Sequence, residues 1–395
     1  MLYLEKETKN GGILMKFVIQ RNRLVQAVNE VTRAISSRTT IPILTGIKIT
    51  VNDEGVTLTG SDSDISIEAF IPLIENDEIL VEVENFGGIV LQANYFSDIV
   101  RRLPDDSVEL EVTTNYQTNI RSGQASFNLI GLDPAEYPKL PEVTAGKSIQ
   151  IPISVLKNII RQTVFAVSAI EVRPVLTGVN WMIKNNVLTA VATDSHRLAL
   201  REIPLATEID EEYNIVIPGK SLSELNKILD EGTDSIEMVL ANNQILFKLK
   251  DLLFYSRLLE GSYPDTSRLI PTETKSDLII NAKSFLQAID RASLLARENR
   301  NNVIKLMTLE NGQVEVSSNS PEVGNVSEKV FSQSFTGEEL KISFNGKYMM
   351  DALRAFDGAD IQISFSGTMR PFVLRPKDAE NPNEILQLIT PVRTY

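Results

Sequence analysis

The 395-residue chain has no cysteine and one histidine, His196. Without thiols there is neither a disulfide framework nor a thiolate metal site. That usage fits a reducing compartment, and the cytoplasm is the expectation. No apolar run approaches the ~20 residues of a membrane span, and no basic, apolar, small-residue leader opens the chain. The sequence also lacks a Gly-x-Ser-x-Gly elbow, a Walker loop and a dinucleotide-binding glycine fingerprint. Its many carboxylates have no spacing that suggests a two-metal centre. No metal and no cofactor is therefore expected. A basic balance is missing too: the net charge is −13, which by itself argues against nucleic acid.

A hydrolase reading has one foothold, Asp194-Ser195-His196. Neighbours on a strand or tight turn point to opposite faces, so they do not converge as a triad. A structural or pocket-rim role for His196 is the better expectation.

What the chain does have is a threefold repeat. Ile43-Leu44-Thr45-Gly46 returns 132 positions later as Val175-Leu176-Thr177-Gly178. Asn94–Leu103, followed by Pro104-Asp105-Asp106, is echoed by Lys220–Leu229 with Asp230-Glu231-Gly232. It returns again as Lys347–Phe356 with Asp357-Gly358-Ala359. A period of about 125–130 residues is the size of a whole domain, not of a solenoid unit. The expected division is residues 15–146, 147–275 and 276–395, with polar linkers near 140–147 and 269–276. Residues 1–14 are polar and without period. They read as an N-terminal extension ahead of a first strand at Met15, with Met15 as the start of the protein proper or the segment as a genuine tail.

Each repeat reads as helix, strand pair, helix, strand pair. Apolar spacing places first helices at 21–36, 153–168 and 282–298, and second helices at 94–104, 219–230 and 346–357. Leu24, Val28, Val31 and Ile35 form one stripe; Leu156, Ile159, Ile160 and Val167 form another. Arg23 and Arg33 are expected to be exposed. Turn-forming Asn52-Asp53-Glu54-Gly55, Lys184-Asn185-Asn186 and Glu310-Asn311-Gly312 separate alternating β-branched runs into hairpins. The six helical spans together carry +6, leaving −19 for the remainder. If these helices share a face, that face attracts phosphate while the rest repels it; ordinary solvated helix faces account for the same charges.

The run Thr193-Asp194-Ser195-His196-Arg197-Leu198, with Ile41-Pro42-Ile43-Leu44, Tyr263-Pro264-Asp265 and Pro391-Val392-Arg393, resembles the bacterial DNA sliding clamps, the beta subunits of DNA polymerase III. The resemblance spans residues 15–395. It implies an α+β fold of three clamp domains, each with two inner helices and outer antiparallel β-sheets. Two chains would join head to tail into a homodimeric ring. The implied function is that of a processivity factor, not an enzyme. Duplex DNA would pass through the ring non-specifically, and a separate clamp loader would open it.

The resemblance also implies site residues. The partner-peptide cleft would use Leu176, Thr193, His196, Arg197, Leu198, Pro264, Arg268, Leu269, Asn345, Tyr348, Leu388, Ile389, Pro391, Val392 and Arg393. It would take Gln-Leu-x-Leu-Phe-type motifs of the polymerase III catalytic subunit, the clamp loader and other proteins. Arg38 matches a DNA-facing arginine of the family; Arg101, Lys157, Arg161, Lys220, Lys227 and Arg354 join it by helix face. The seam between chains would use Phe127, Leu129, Leu294 and Leu295. Three departures stand out: Ser195 replaces a common glycine, Arg300-Asn301-Asn302 replaces an expected aromatic, and the chain ends Arg393-Thr394-Tyr395. The rival readings are a peptide-binding repeat scaffold that does not encircle DNA, and a hydrolase using Asp194 and His196.

Overall fold

The computed structural model describes residues 12–140, 148–170, 172–206, 209, 211–229, 235–241, 243–296, 302–309, 313–381 and 383–393. Among the described residues, six α-helices follow the repeat: α1 Arg21–Val31, α2 Ala93–Arg102, α3 Ile153–Thr163, α4 Gly219–Ile228, α5 Ala282–Ala296 and α6 Gly346–Arg354. Five of these six starts lie where the periodicity sets them, and α2 begins one residue earlier. α1, α2, α3, α4 and α6 end short of the expected positions; residues 297–298, expected to close α5, lie outside the described residues. After α1 and α3 the chain tightens into single 3-10 turns, Thr32–Ala34 and Val164–Ala166, a common way to satisfy the last carbonyls of a helix. Arg300, Asn301, most of the expected linker at 140–147 and the Glu310-Asn311-Gly312 turn lie outside the described residues, as do 230–234 and 394–395.

Strand pairs were too few. Each hairpin is followed by a third strand: Gly46–Val51, Gly55–Ser61 and Ile65–Pro72; Gly178–Lys184, Val187–Thr193 and Arg197–Pro204; Val303–Thr308, Val314–Ser320 and Gly324–Val330. A further set of three follows each second helix. The first strand begins at Ile13, two residues ahead of Met15. Gly12 already accepts a backbone hydrogen bond from Thr114 N–H at 2.8 Å.

The stripes bury within the helices, whereas Ile35 and Val167, expected to extend them, lie past the 3-10 turns in extended backbone and are half-buried. Leu24, Val28, Val31, Phe96, Val100, Leu156, Ile159, Ile160, Leu222, Leu225, Met349 and Leu353 are all buried. Where strand and helix meet most closely, the residue is small. A Cβ on Gly60 would lie 2.2 Å from the Val31 carbonyl oxygen at the end of α1.

Three repeats produce two compact units, because sheets run on across repeat boundaries. One unit comprises the described residues of Met1–Ile151 and Lys227–Arg257, the other those of Pro152–Asn226 and Leu258–Tyr395. In the first, an eight-stranded sheet joins repeats one and two where Leu252–Arg257 pairs antiparallel with Ile65–Pro72, Phe254 opposite Ile67. In the second, a nine-stranded sheet joins repeats two and three where Ile385–Ile389 pairs with Arg197–Pro204, Gln387 opposite Ala199. Among the described residues, two smaller sheets each end in an unpaired edge strand of this kind. A five-stranded sheet ends at Ala125–Ile130, and a four-stranded sheet ends at Gly324–Val330.

Candidate functional site

The turn Asp194-Ser195-His196 joins Val187–Thr193 to Arg197–Pro204. The Asp194 carboxylate accepts from the His196 and Arg197 backbone N–H groups, both at 3.0 Å, an Asx-type turn that closes the hairpin. Ser195 sits at φ +77°, where glycine is at ease and other residues are strained. The Asp194 carboxylate thus holds the turn and Arg197.

Arg197 is the centre of the arrangement. Its side chain is only 10% exposed. Nε donates to Asp194 Oδ2 at 3.0 Å, Nη1 to Asp351 Oδ2 at 2.8 Å and Nη2 to the Phe165 carbonyl at 2.5 Å. The guanidinium lies 4.4 Å from the Tyr348 ring centroid, a cation–π distance. Three nitrogens of Arg197 thus have internal partners. His196 is exposed and stacks on Tyr348 at 6.5 Å between centroids. Asn345 caps α6 by accepting from the Lys347 and Tyr348 N–H groups at 2.9 and 3.2 Å, which fixes where Tyr348 stands.

Beside this polar cluster lies an apolar one. Leu198 and Leu388, opposite each other across the repeat junction, cluster with Val191, Leu200, Val373 and Leu386, and Tyr263 and Ile270 pack on them. The strand period of two turns Ile389 away from Leu388, into the core of the third repeat. Thr193 is buried, its hydroxyl donating to the Arg197 carbonyl at 2.6 Å. Leu176 is buried in the 3-10 turn Pro174–Thr177. The C-terminal segment is tied down: Thr390 N–H donates to the His196 carbonyl and Val392 N–H to the Ser343 carbonyl, at 2.9 and 2.7 Å. Pro391 and Val392 are half-buried; Pro264, Leu269 and Arg393 are exposed. Arg268 is exposed and reaches Asp265 at 3.4 Å. The sequence reading missed Asp351, Phe165 and Tyr263 as members of this cluster. Tyr263 stood in a recognised motif; nothing local marks the other two.

The seven basic candidates differ in how their charge is held. Arg161 is clasped by Asp357, which holds that carboxyl below its usual range. Arg354 pairs with Asp351 at 3.0 Å. Arg101 instead donates to the neutral Asn29 side chain, at 3.0 and 2.7 Å, tying α2 to α1. Arg38, Lys220 and Lys227 are exposed and Lys157 is half-buried. Arg23 and Arg33, expected to be exposed, are half-buried; Arg23 is bound to Glu75, which also binds Lys250 at 2.5 Å. Of the seam candidates, Phe127 is 38% exposed and Leu294 61% exposed, and Leu129 and Leu295 are half-buried.

Comparison with known proteins covers nearly the whole chain. Models of the DNA polymerase III beta subunit match in order: the N-terminal domain at residues 15–141, the central domain at 150–265 and the C-terminal domain at 267–393. The beta sliding clamp of Bacillus subtilis (strain 168) is 58% identical over 381 residues, covering 96% of this chain and all of the relative. A crystal structure of the Bacillus subtilis DNA polymerase sliding clamp superposes with a TM-score of 0.93 at 57% identity, covering 97% of this chain and 100% of that one. A Pseudomonas aeruginosa sliding clamp bound to griselimycin gives 0.87 at 25% identity, covering 97% and 100%. With all three domain models in order and a relative this similar over its full length, the chain belongs to the beta sliding clamp family, the beta subunit of DNA polymerase III.

Proposed function

We propose that this chain is a cytoplasmic, non-catalytic processivity factor whose homodimer encircles duplex DNA and tethers polymerase and other partners by short peptides. One observation carries the ring: the way edges pair inside the chain. The third strand of repeat one pairs with the last strand of repeat two. The third strand of repeat two pairs with the last strand of repeat three. The two strands left over are the third strand of repeat three, Gly324–Val330, and the last strand of repeat one, Ala125–Ile130. The same rule applied once more pairs one chain's Gly324–Val330 with its partner's Ala125–Ile130, and two chains of three domains close head to tail. Domains at 15–146, 147–275 and 276–395 follow that rule.

The same pattern supports a register for the seam. Gly60 opposes Ile67, Ala192 opposes Ala199 and Ser318 opposes Val326 at matching places in the three repeats. Ile120 opposes Phe127, Phe247 opposes Phe254 and Leu374 opposes Gln387 likewise. Since Ile67 faces Phe254 and Ala199 faces Gln387, Val326 faces Phe127 and Ser327 faces Ser126 across the seam. Phe127 and Leu129 then share a side with Leu294 and Leu295.

DNA contact would be to phosphates only, through Arg38, Arg101, Lys157, Arg161, Lys220, Lys227 and Arg354. Few and non-specific contacts let a ring slide. The cleft around Leu176, Leu198, Leu388, Tyr348 and Pro391 offers apolar walls to the Leu and Phe of a Gln-Leu-x-Leu-Phe motif. That the Pseudomonas aeruginosa relative takes griselimycin supports a ligand-binding role for clamps of this family.

The native absence of cysteine makes the test clean. Ser126→Cys with Ser327→Cys is expected to give a covalent dimer on mild oxidation. Ser126→Cys with Asn325→Cys, two residues out of register, is expected to give far less. Equal yields, or none, would overturn the seam.

A further inference from the structure

Asp351 lies one helical turn beyond Tyr348 on α6, so the two share a face. Its carboxylate divides between two arginines. Oδ2 accepts from Arg197 Nη1 at 2.8 Å, and Oδ1 accepts from Arg354 Nη1 at 3.0 Å. With Asp194 at Nε and the Phe165 carbonyl at Nη2, three nitrogens of one planar group are fixed by three separate elements. The plane of the guanidinium is thereby set, and Tyr348 rests on it. The Asp351 side chain is 15% exposed and the Arg197 side chain 10%. Arg197, Asp194, Asp351 and Arg354 form a neutral set, so losing either carboxylate leaves a positive charge in a mostly dry place, which is costly.

We propose that Asp351 is a positioning residue of the peptide cleft: it holds the Arg197 guanidinium beneath Tyr348, so that the ring is a fixed wall for the partner's apolar side chain. The inference rests on the cleft reading above. A rigid wall lowers the ordering cost of binding, and Asn345 contributes by fixing the start of the helix that carries both residues. Asp351 itself touches no peptide; it acts through Arg197 and Tyr348.

The test is titration of a labelled Gln-Leu-x-Leu-Phe peptide into full-length wild type and variants, with dimer mass and thermal midpoint followed alongside. Asp351→Asn keeps the shape and removes the charge. It is expected to weaken binding about tenfold in the wild-type background, the size of an ordinary coupling between contacting residues. In a Tyr348→Leu background the same change is expected to cost less than about twofold, because the wall it positions is gone. Asp351→Glu restores binding to within about threefold. Unchanged binding in Asp351→Asn, or the same loss in both backgrounds, would overturn the positioning role. If Asp351→Asn does not fold, Asp194→Asn removes the other carboxylate from the same guanidinium and carries the same comparison. Failure of folded wild type to bind the peptide would sink the cleft reading itself, a different result from wild type and Asp351→Asn binding alike.

Discussion

The phenol oxygen of Tyr263 accepts a hydrogen bond from the backbone N–H of Thr193 at 3.0 Å, fastening the segment after residue 258 to the strand that ends at the Asp194 turn. Tyr263→Phe leaves that buried N–H without a partner. The expected loss is about 1–3 kcal/mol of stability, with weaker capture of the Gln-Leu-x-Leu-Phe peptide. Urea unfolding and peptide titration on the same samples check both.

Alkaline pH probes the same contact. Burial pushes the Tyr137 and Tyr263 hydroxyls above their ordinary range, and burial with Glu211 pushes Tyr213 up to about 12. These groups stay protonated in the folded chain while the unfolded chain releases protons near pH ~10. Their contribution to stability is complete below that point and declines as pH rises through the folded values. The thermal midpoint is expected to fall steeply above pH ~10, and less steeply in Tyr263→Phe. Equal slopes would contradict the assignment.

Ser195, at φ +77°, gives a prediction of opposite sign. Ser195→Gly removes left-handed strain of about 1 kcal/mol and adds unfolded-state entropy of similar size. Stability should hold within about 0.5 kcal/mol or rise. Ser195→Val, β-branched in the same backbone, should lose more than about 1 kcal/mol. Paired denaturation curves decide it.

Much of the fold was legible because its cause is local. Stripes such as Leu156, Ile159 and Ile160, and turns such as Asn52-Asp53-Glu54-Gly55, are written within a few residues. The third strand of the first two repeats was not, because half its pairing lies across a repeat boundary and depends on residues far along the chain: Arg197–Pro204 meets Ile385–Ile389. The motif holding Thr193 to Leu198 located the candidate site. The internal use of Arg197 stayed hidden, since Asp351 lies 154 positions away. Likewise the basic count on the helices could not reveal that Asp357, 196 positions from Arg161, neutralises it.

That last pair bears on sliding. Asp357→Asn removes the countercharge of Arg161, which keeps its bond to Asn158 at 3.1 Å, and is expected to tighten non-specific duplex binding. The slope of log K against log salt should grow by about one per freed contact. An unchanged slope would mean that Arg161 does not face phosphate.

Leu294 and Leu295 are exposed and half-buried at the end of α5, so trimming both to Ala should hardly affect folding of the single chain. At the proposed seam they oppose the partner's strand 125–130, and the double variant is expected to be a folded monomer by native mass. A stable dimer buries upwards of about 1,000 Å², and persistence of dimer mass would remove these leucines from the seam.

Encirclement makes the hold on DNA topological. The Ser126→Cys, Ser327→Cys protein would be loaded in reduced form, with a clamp loader and ATP, onto nicked circular and onto linear duplex DNA, then oxidised and washed at high salt. Covalent dimer is expected to be retained on the circle and released when the circle is cut by a restriction enzyme. Equal retention on linear DNA, or loss from the circle at high salt despite complete cross-linking, would contradict encirclement and leave only a peptide-binding scaffold.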